Sequence, residues 1–151
     1  MKNKGFTIFV AVIIVGTITF VAAGIINLAV RHLQIANAGE VSQHAFYAAD
    51  SGMECALYWD VRNPSGLSAF STTTGTMINC NRDANNLGNQ WVVGGAYTSV
   101  INRINFLPNS YCAIVTVTKD LVGGTQIESR GYNTCDLTNP RRVERAVRAR
   151  Y

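Results

Sequence analysis

Between Phe6 and Val30 the chain has no Asp, Glu, Lys, Arg or His, a run of 25 residues without an ionisable side chain. As a helix rising 1.5 Å per residue it would extend roughly 37 Å, enough to cross a hydrocarbon layer of roughly 30 Å. It is too long for the apolar part of an ordinary secretory signal, which predicts that the segment is retained. Catalytic signatures are equally scarce. There is no Gly-x-Ser-x-Gly, His-Glu-x-x-His or phosphate-loop pattern, and no Cys-x-x-Cys. The two histidines, His32 and His44, fall about 120° apart on one predicted helix, so they do not make a two-histidine metal face. The reading is of a non-enzymatic chain with no cofactor.

What is present is distributed unevenly. The 151 residues suffice for one small globular head plus an accessory element; 48% are hydrophobic and 15% charged, with the apolar excess at the start. Lys2 and Lys4 precede the run, while Arg31 and His32 open a flank of mixed charge, a bias that favours an N-in, C-out orientation. Cys55, Cys80, Cys112 and Cys135 all follow the run, and an even number suits disulfides in an oxidising compartment. Four cysteines allow three pairings; locality favours Cys55 with Cys80 and Cys112 with Cys135.

Beyond Val30 no proline occurs until Pro64, and helix formers continue through Leu57, which predicts one long helix, roughly 80 Å if it starts near Phe6. Val41, Ala45, Ala48, Gly52, Cys55 and Trp59 repeat at 4-3-4-3-4 spacing. They form a small-to-apolar stripe that needs a partner, with Glu40, Asp50, Glu54 and Asp60 largely off it. The C-terminal half of that stripe is expected on the chain's own sheet and the N-terminal half against neighbouring subunits. Asn63-Pro64-Ser65-Gly66 should end the helix. Residues 62–110, rich in Asn, Ser, Thr and Gly, read as an irregular connection with short strands. In residues 111–151, Ala113 to Thr118 and Gln126 to Tyr132 predict a hairpin across Val122-Gly123-Gly124-Thr125. Arg141 to Tyr151 alternates as a third strand with Val143, Val147, Ala149 and Tyr151 on one face and Arg145 the exception; a short helix opening at Asn139-Pro140 is the alternative.

Lys2-Asn3-Lys4-Gly5-Phe6-Thr7, followed at once by the apolar run, resembles the start of type IV pilins and type II secretion pseudopilins. In Ser42 to Glu54, the small, aromatic and acidic residues Ala45, Phe46, Tyr47, Ala48, Asp50, Gly52 and Glu54 resemble the helix of PilX-like minor pilins. The resemblance covers about the first sixty residues, and beyond them only the architecture. It implies an α+β, pilin-like fold: a long N-terminal helix, transmembrane in its first half and amphipathic in its second, packed on a small antiparallel sheet. It also implies a leader at residues 1–5, cleavage by a prepilin peptidase between Gly5 and Phe6, methylation of the new N-terminus, a filament-core helix at 6–30 and its amphipathic continuation at 31–61. The implied partners are other pilin subunits, the peptidase, the pilus assembly machinery and the membrane before assembly. The implied location is the cytoplasmic membrane with an extracytoplasmic head, then a cell-surface or periplasmic filament.

One position departs from that pattern. Most members carry glutamate at the fifth mature residue, where this chain has Val10, and the lack is shared with some tip-forming pseudopilins. A minor, tip or initiating subunit is therefore expected, with a major pilin lacking the glutamate, or a permanently anchored extracytoplasmic binding module, as the alternatives.

Three weaker patterns receive plainer readings. The last eleven residues hold five arginines against Glu144 alone, but a net charge of +4 over the whole chain favours a solvated or charge-paired sheet face over nucleic-acid binding. Alternation would put Arg142, Arg148 and Arg150 on one face with Glu144. Asn81-x-Asp83-x-Asn85 imitates the start of a calcium loop, yet Asn86 and Val92 stand where the turn glycine and the final carboxylate belong. Phe46, Tyr47 and Trp59 are expected in the core or at a subunit interface.

Overall fold

The computed structural model describes residues 4–151, with side chains from residue 6 onward. Of the expected leader, Met1, Lys2 and Asn3 lie outside the described residues, as do the side-chain surroundings of Lys4 and Gly5. Helix α1 covers Lys4–Val61. The chain divides after Gly39 into two compact units. The described residues of the first are helical; the second, Glu40–Tyr151, holds the last turns of α1 and six strands.

The helix stops where the sequence predicts. The Arg62 N–H closes the final turn on the Tyr58 carbonyl at 2.8 Å. Asn63 then uses both ends of its amide, accepting from the Ser65 N–H at 3.2 Å and donating to the Leu67 carbonyl at 2.8 Å, while Gly66 takes φ +72°.

Strands β1 (Gly75–Asn79) and β2 (Gln90–Gly94) form a two-stranded antiparallel sheet. Strands β3 (Thr98–Asn105), β4 (Cys112–Lys119), β5 (Thr125–Tyr132) and β6 (Glu144–Arg150) form a four-stranded antiparallel sheet in sequence order. The expected hairpin is β4–β5, in unbroken register from Cys112↔Tyr132 to Lys119↔Thr125. Its turn is held by the Asp120 carboxylate, which accepts the N–H groups of Val122 at 3.1 Å and Gly124 at 2.5 Å. The C-terminal segment is a strand, β6, and not the alternative short helix.

The region 62–110 is more regular than expected, because β3 is a full member of the main sheet. Its inward residues are Ser99, Ile101 and Ile104, and the last step is one residue too long for simple alternation. A bulge between Ile101 and Ile104 absorbs the extra residue, with Arg103 at φ +45°. A period of two is therefore broken within the strand, and its sequence does not read as one.

The core lies between residues 40–61 of α1 and the inner face of the main sheet, with Met53, Ala56, Phe70, Ile78, Ile101, Val115, Val117 and Ile127 buried together. Small residues set the spacing. A Cβ on Gly131 would lie 2.1 Å from the Ala45 carbonyl oxygen, and one on Gly52 would lie 2.6 Å from Ser129 Oγ. Helix backbone and strand backbone approach as closely as they do because neither carries a side chain there.

Candidate membrane-spanning segment and assembly surface

In the first unit the apolar run is helical, and every residue from Phe6 to Gly39 is exposed apart from half-buried Val10. With this length, no ionisable side chain from Phe6 to Val30 and none of the stretch buried, the helix is long and apolar enough to cross a membrane. Phe6 is 71% and Phe20 82% exposed, values that fit lipid or protein neighbours far better than water. Two of the polar side chains inside the run are turned back on the helix: Thr17 Oγ1 donates to the Ile14 carbonyl at 2.9 Å and Thr19 Oγ1 to that of Val15 at 2.8 Å. Both hydroxyls are thus satisfied without water. Phe6 and Val10, four residues apart, occupy one helix face, and no carboxylate stands between them.

In the second unit, Ala45, Ala48 and Gly52 of the expected stripe are buried and Val41, Cys55 and Trp59 are half-buried, so the stripe from Val41 onward faces the chain's own sheet. Trp59 Nε1 donates to the Asn79 carbonyl at 2.8 Å. Cys55 and Cys80, with Cα atoms 5.8 Å apart, are disulfide-bonded beside it, so β1 is fastened to the helix twice. Cys112 and Cys135 form the second disulfide, Cα to Cα 5.6 Å, and tie the start of β4 to the segment leaving β5. These are the two pairs that locality selects. Phe46 and Tyr47 stay on the outer face, 46% and 61% exposed, so of the three aromatics only Trp59 packs against the core.

Two polar assemblies escaped the sequence reading. Asp60, expected off the packed side, is only 3% exposed at its side chain. Lys119 Nζ donates to its two oxygens at 2.6 and 2.8 Å and to Thr125 Oγ1 at 2.7 Å. The hydroxyls of Ser68 and, at 2.5 Å, Tyr151 also donate to the carboxylate. Burial pushes the Asp60 pKa up, but the hydrogen bonds from Lys119, Ser68 and Tyr151, together with the lysine charge, outweigh it and hold the carboxyl below its ordinary value. Burial and the bond to Asp60 push the Tyr151 phenol up. The signal for Asp60 was a second stripe, Ala45, Ala49, Met53, Ala56 and Asp60 at 4-4-3-4 spacing, which runs beside the first and ends on the carboxylate.

The other assembly clamps the loop between β1 and β2. Asn89, fully buried, donates through Nδ2 to the carbonyls of Asn105 at 2.7 Å and Asn81 at 3.2 Å, and its Oδ1 accepts the Asn105 N–H at 3.0 Å. Asn86 holds Leu107 in the same two-way manner. Asp83 of the calcium-like pattern spends one oxygen on the N–H groups of Asn85 and Asn86 and on the Asn86 amide. It is a turn former in this loop.

The arginines of the C-terminal segment are distributed over several partners. Arg148 pairs with Glu128 at 2.5 Å, beside an Arg130–Glu128 pair at 2.7 Å, and hydrogen bonds from the two arginines lower the Glu128 pKa. Arg145 donates to Ser42 Oγ at 2.9 Å. Arg142 does not join Arg148 on the outer sheet face; it precedes β6 and lies 3.7 Å over the Tyr132 ring. Compared with protein-family models, with curated proteins and with solved structures, the chain matches none.

Proposed function

We propose that this chain is the precursor of a type IV pilin-like or pseudopilin-like subunit, a structural protein stored in the membrane by its apolar helix and then drawn into a filament. The observation that carries the reading is the uncharged helix from Phe6 to Val30, exposed at every residue but half-buried Val10, at the start of an α1 whose last turns are inlaid in an antiparallel sheet. Such a surface requires an apolar partner throughout the life of the protein. Lipid supplies it first and the helices of other subunits later, and the transfer exchanges lipid contacts for helix packing without passing through water.

Removal of residues 1–5 by a prepilin peptidase leaves Phe6 with a free amine inside an apolar bundle, where a neighbour's carboxylate offsets the cost of burying it. Val10 offers no carboxylate in return. The subunit therefore satisfies a neighbour without being satisfied in the same way, which suits a minor subunit at the tip or at initiation. Its partners are other pilin subunits and the assembly machinery. Its head stands outside the cytoplasmic membrane, where Cys55–Cys80 and Cys112–Cys135 persist oxidised.

Quantifying the chain in sheared filaments tests the role. A stoichiometry near one copy per filament is expected, and finding it as the dominant component along the shaft would refute the tip assignment. Gly5→Leu, which enlarges the residue before the scissile bond, should leave the uncleaved precursor in the membrane; normal processing and assembly of that variant would show that the site is misplaced.

A further inference from the structure

We propose that the groove beside the C-terminal end of α1 binds a neutral oligosaccharide. The groove has a volume of about 690 Å³, in the range of small-molecule sites, and lies between the segment after the helix, strand β1 and the β4–β5 turn. Seven of its lining residues are serine or threonine, among them the run Ser71 to Thr74. The hydroxyls of Thr72, Thr74 and Thr76 make no hydrogen bond among the described residues and are available to a ligand. The Tyr97 ring, 51% exposed, lines the same groove, as do Leu67 and Leu121 at 75% and 85% exposure.

Charge decides the class of ligand. Only Lys119 and Asp120 among the lining residues are charged, and both are spent internally. Lys119 directs its three donors to Asp60 and Thr125, and Asp120 holds the N–H groups of its own turn. A phosphate, sulfate or nucleic-acid backbone would find no uncommitted cation among the lining residues. Hydroxyl groups in number, next to a half-exposed aromatic ring and aliphatic edges, instead match a sugar ring, which presents hydroxyls at its rim and C–H groups on its face. This reading concerns the head alone and holds whether or not the chain enters a filament.

The test uses the full chain in phosphatidylcholine nanodiscs, since alkyl-glycoside detergents would compete for the site. Maltotetraose, cellotetraose and tetra-N-acetylchitotetraose are the probes, with a heparin tetrasaccharide, a ten-nucleotide single-stranded DNA and a capped Ala-Ser-Gly-Thr-Ala peptide for comparison. Saturation-transfer NMR should detect at least one neutral tetrasaccharide, and its affinity should fall about tenfold in Tyr97→Ala, the scale of one lost stacking contact, while Tyr97→Phe retains it. Thr74→Val, a near-isosteric change on the groove wall, should weaken the same probe about threefold or more with the fold intact, because one hydroxyl partner is lost. Failure of all three neutral probes, binding confined to heparin, DNA or peptide, or sugar binding unchanged in both Tyr97→Ala and Thr74→Val would overturn the proposal.

Discussion

Replacing Gly131 with alanine places a Cβ 2.1 Å from the Ala45 carbonyl oxygen, 2.2 Å from the Ala49 nitrogen and 2.8 Å from Ala49 Cα. All three obstacles are helix backbone, so no side-chain rotation relieves the clash. To restore an ordinary contact the helix must retreat by about 1 Å, and a gap of that size forfeits a quarter to a half of each contact it opens. Ala45, Ala48, Ala49 and Met53, all buried on this face, would lose contact together. Overpacking alone costs about 1–3 kcal/mol, so a total of about 3–4 kcal/mol is expected. That is a large share of the roughly 5–15 kcal/mol that holds a typical domain together. Guanidinium unfolding of the full chain in micelles, disulfides intact and followed by near-UV circular dichroism, measures it. Gly88→Ala, with nothing within 4 Å of the added carbon, is the control and should change stability by less than about 0.5 kcal/mol. Gly52→Ala meets mainly the Ser129 hydroxyl at 2.6 Å, so adding Ser129→Ala should recover part of its loss. If Gly131→Ala were as stable as the control, the close helix-to-sheet approach would be wrong.

Asp60→Asn should destabilise the head by about 2–3 kcal/mol, less than a fully buried broken pair because Lys119 is partly exposed. The Asp60 carboxyl is held below its ordinary 3.8, so its contribution is complete above that pH and is lost as the pH falls through the lower folded-state value; the variant's unfolding midpoint should be flatter than the parent's below about pH 4. Asn89→Leu strips the Asn105 N–H and the Asn81 carbonyl of the partner that Asn89 supplies, and thermal unfolding should report a loss of about 2–3 kcal/mol. Opening the Cys55–Cys80 bridge by a double alanine substitution releases a 25-residue loop and should cost about 3 kcal/mol, read from the denaturant midpoint; non-reducing peptide mapping should recover both native pairs in the parent.

Legibility in the sequence followed how local each signal is. The membrane-length run needs only composition, and the β-branched run Ala113 to Thr118 followed by the Gly123-Gly124 turn signal makes it and Gln126 to Tyr132 stand out unaided. Pro64 marks the helix end because its effect on the preceding residue is local. Strand β3 was hidden by the bulge at Ile101–Ile104, which moves Ile104 off the alternation. Asp60 was hidden by its charge: a carboxylate on a helix face is usually solvated, and only the approach of Lys119, 59 residues away, makes burial tolerable. Asn86 and Asn89 belong to a loop rich in polar residues, and nothing in its composition distinguishes an amide buried against strand backbone from one in water. The groove is a product of tertiary folding alone, since Thr72, Tyr97 and Leu121 come from three separate segments. For the filament reading, the signal lies in Gly5, Phe6 and Val10, whose meaning depends on processing and neighbours that a single folded chain does not contain.

The mass of the mature N-terminus tests the central claim most directly. Isolated from its native membrane and digested, a pilin-like subunit should yield an N-terminal peptide beginning at Phe6, with Met1 to Gly5 removed and the new amine methylated. A chain that retains Met1 to Gly5 would be a permanent membrane anchor with an extracytoplasmic head, and the filament account would be contradicted.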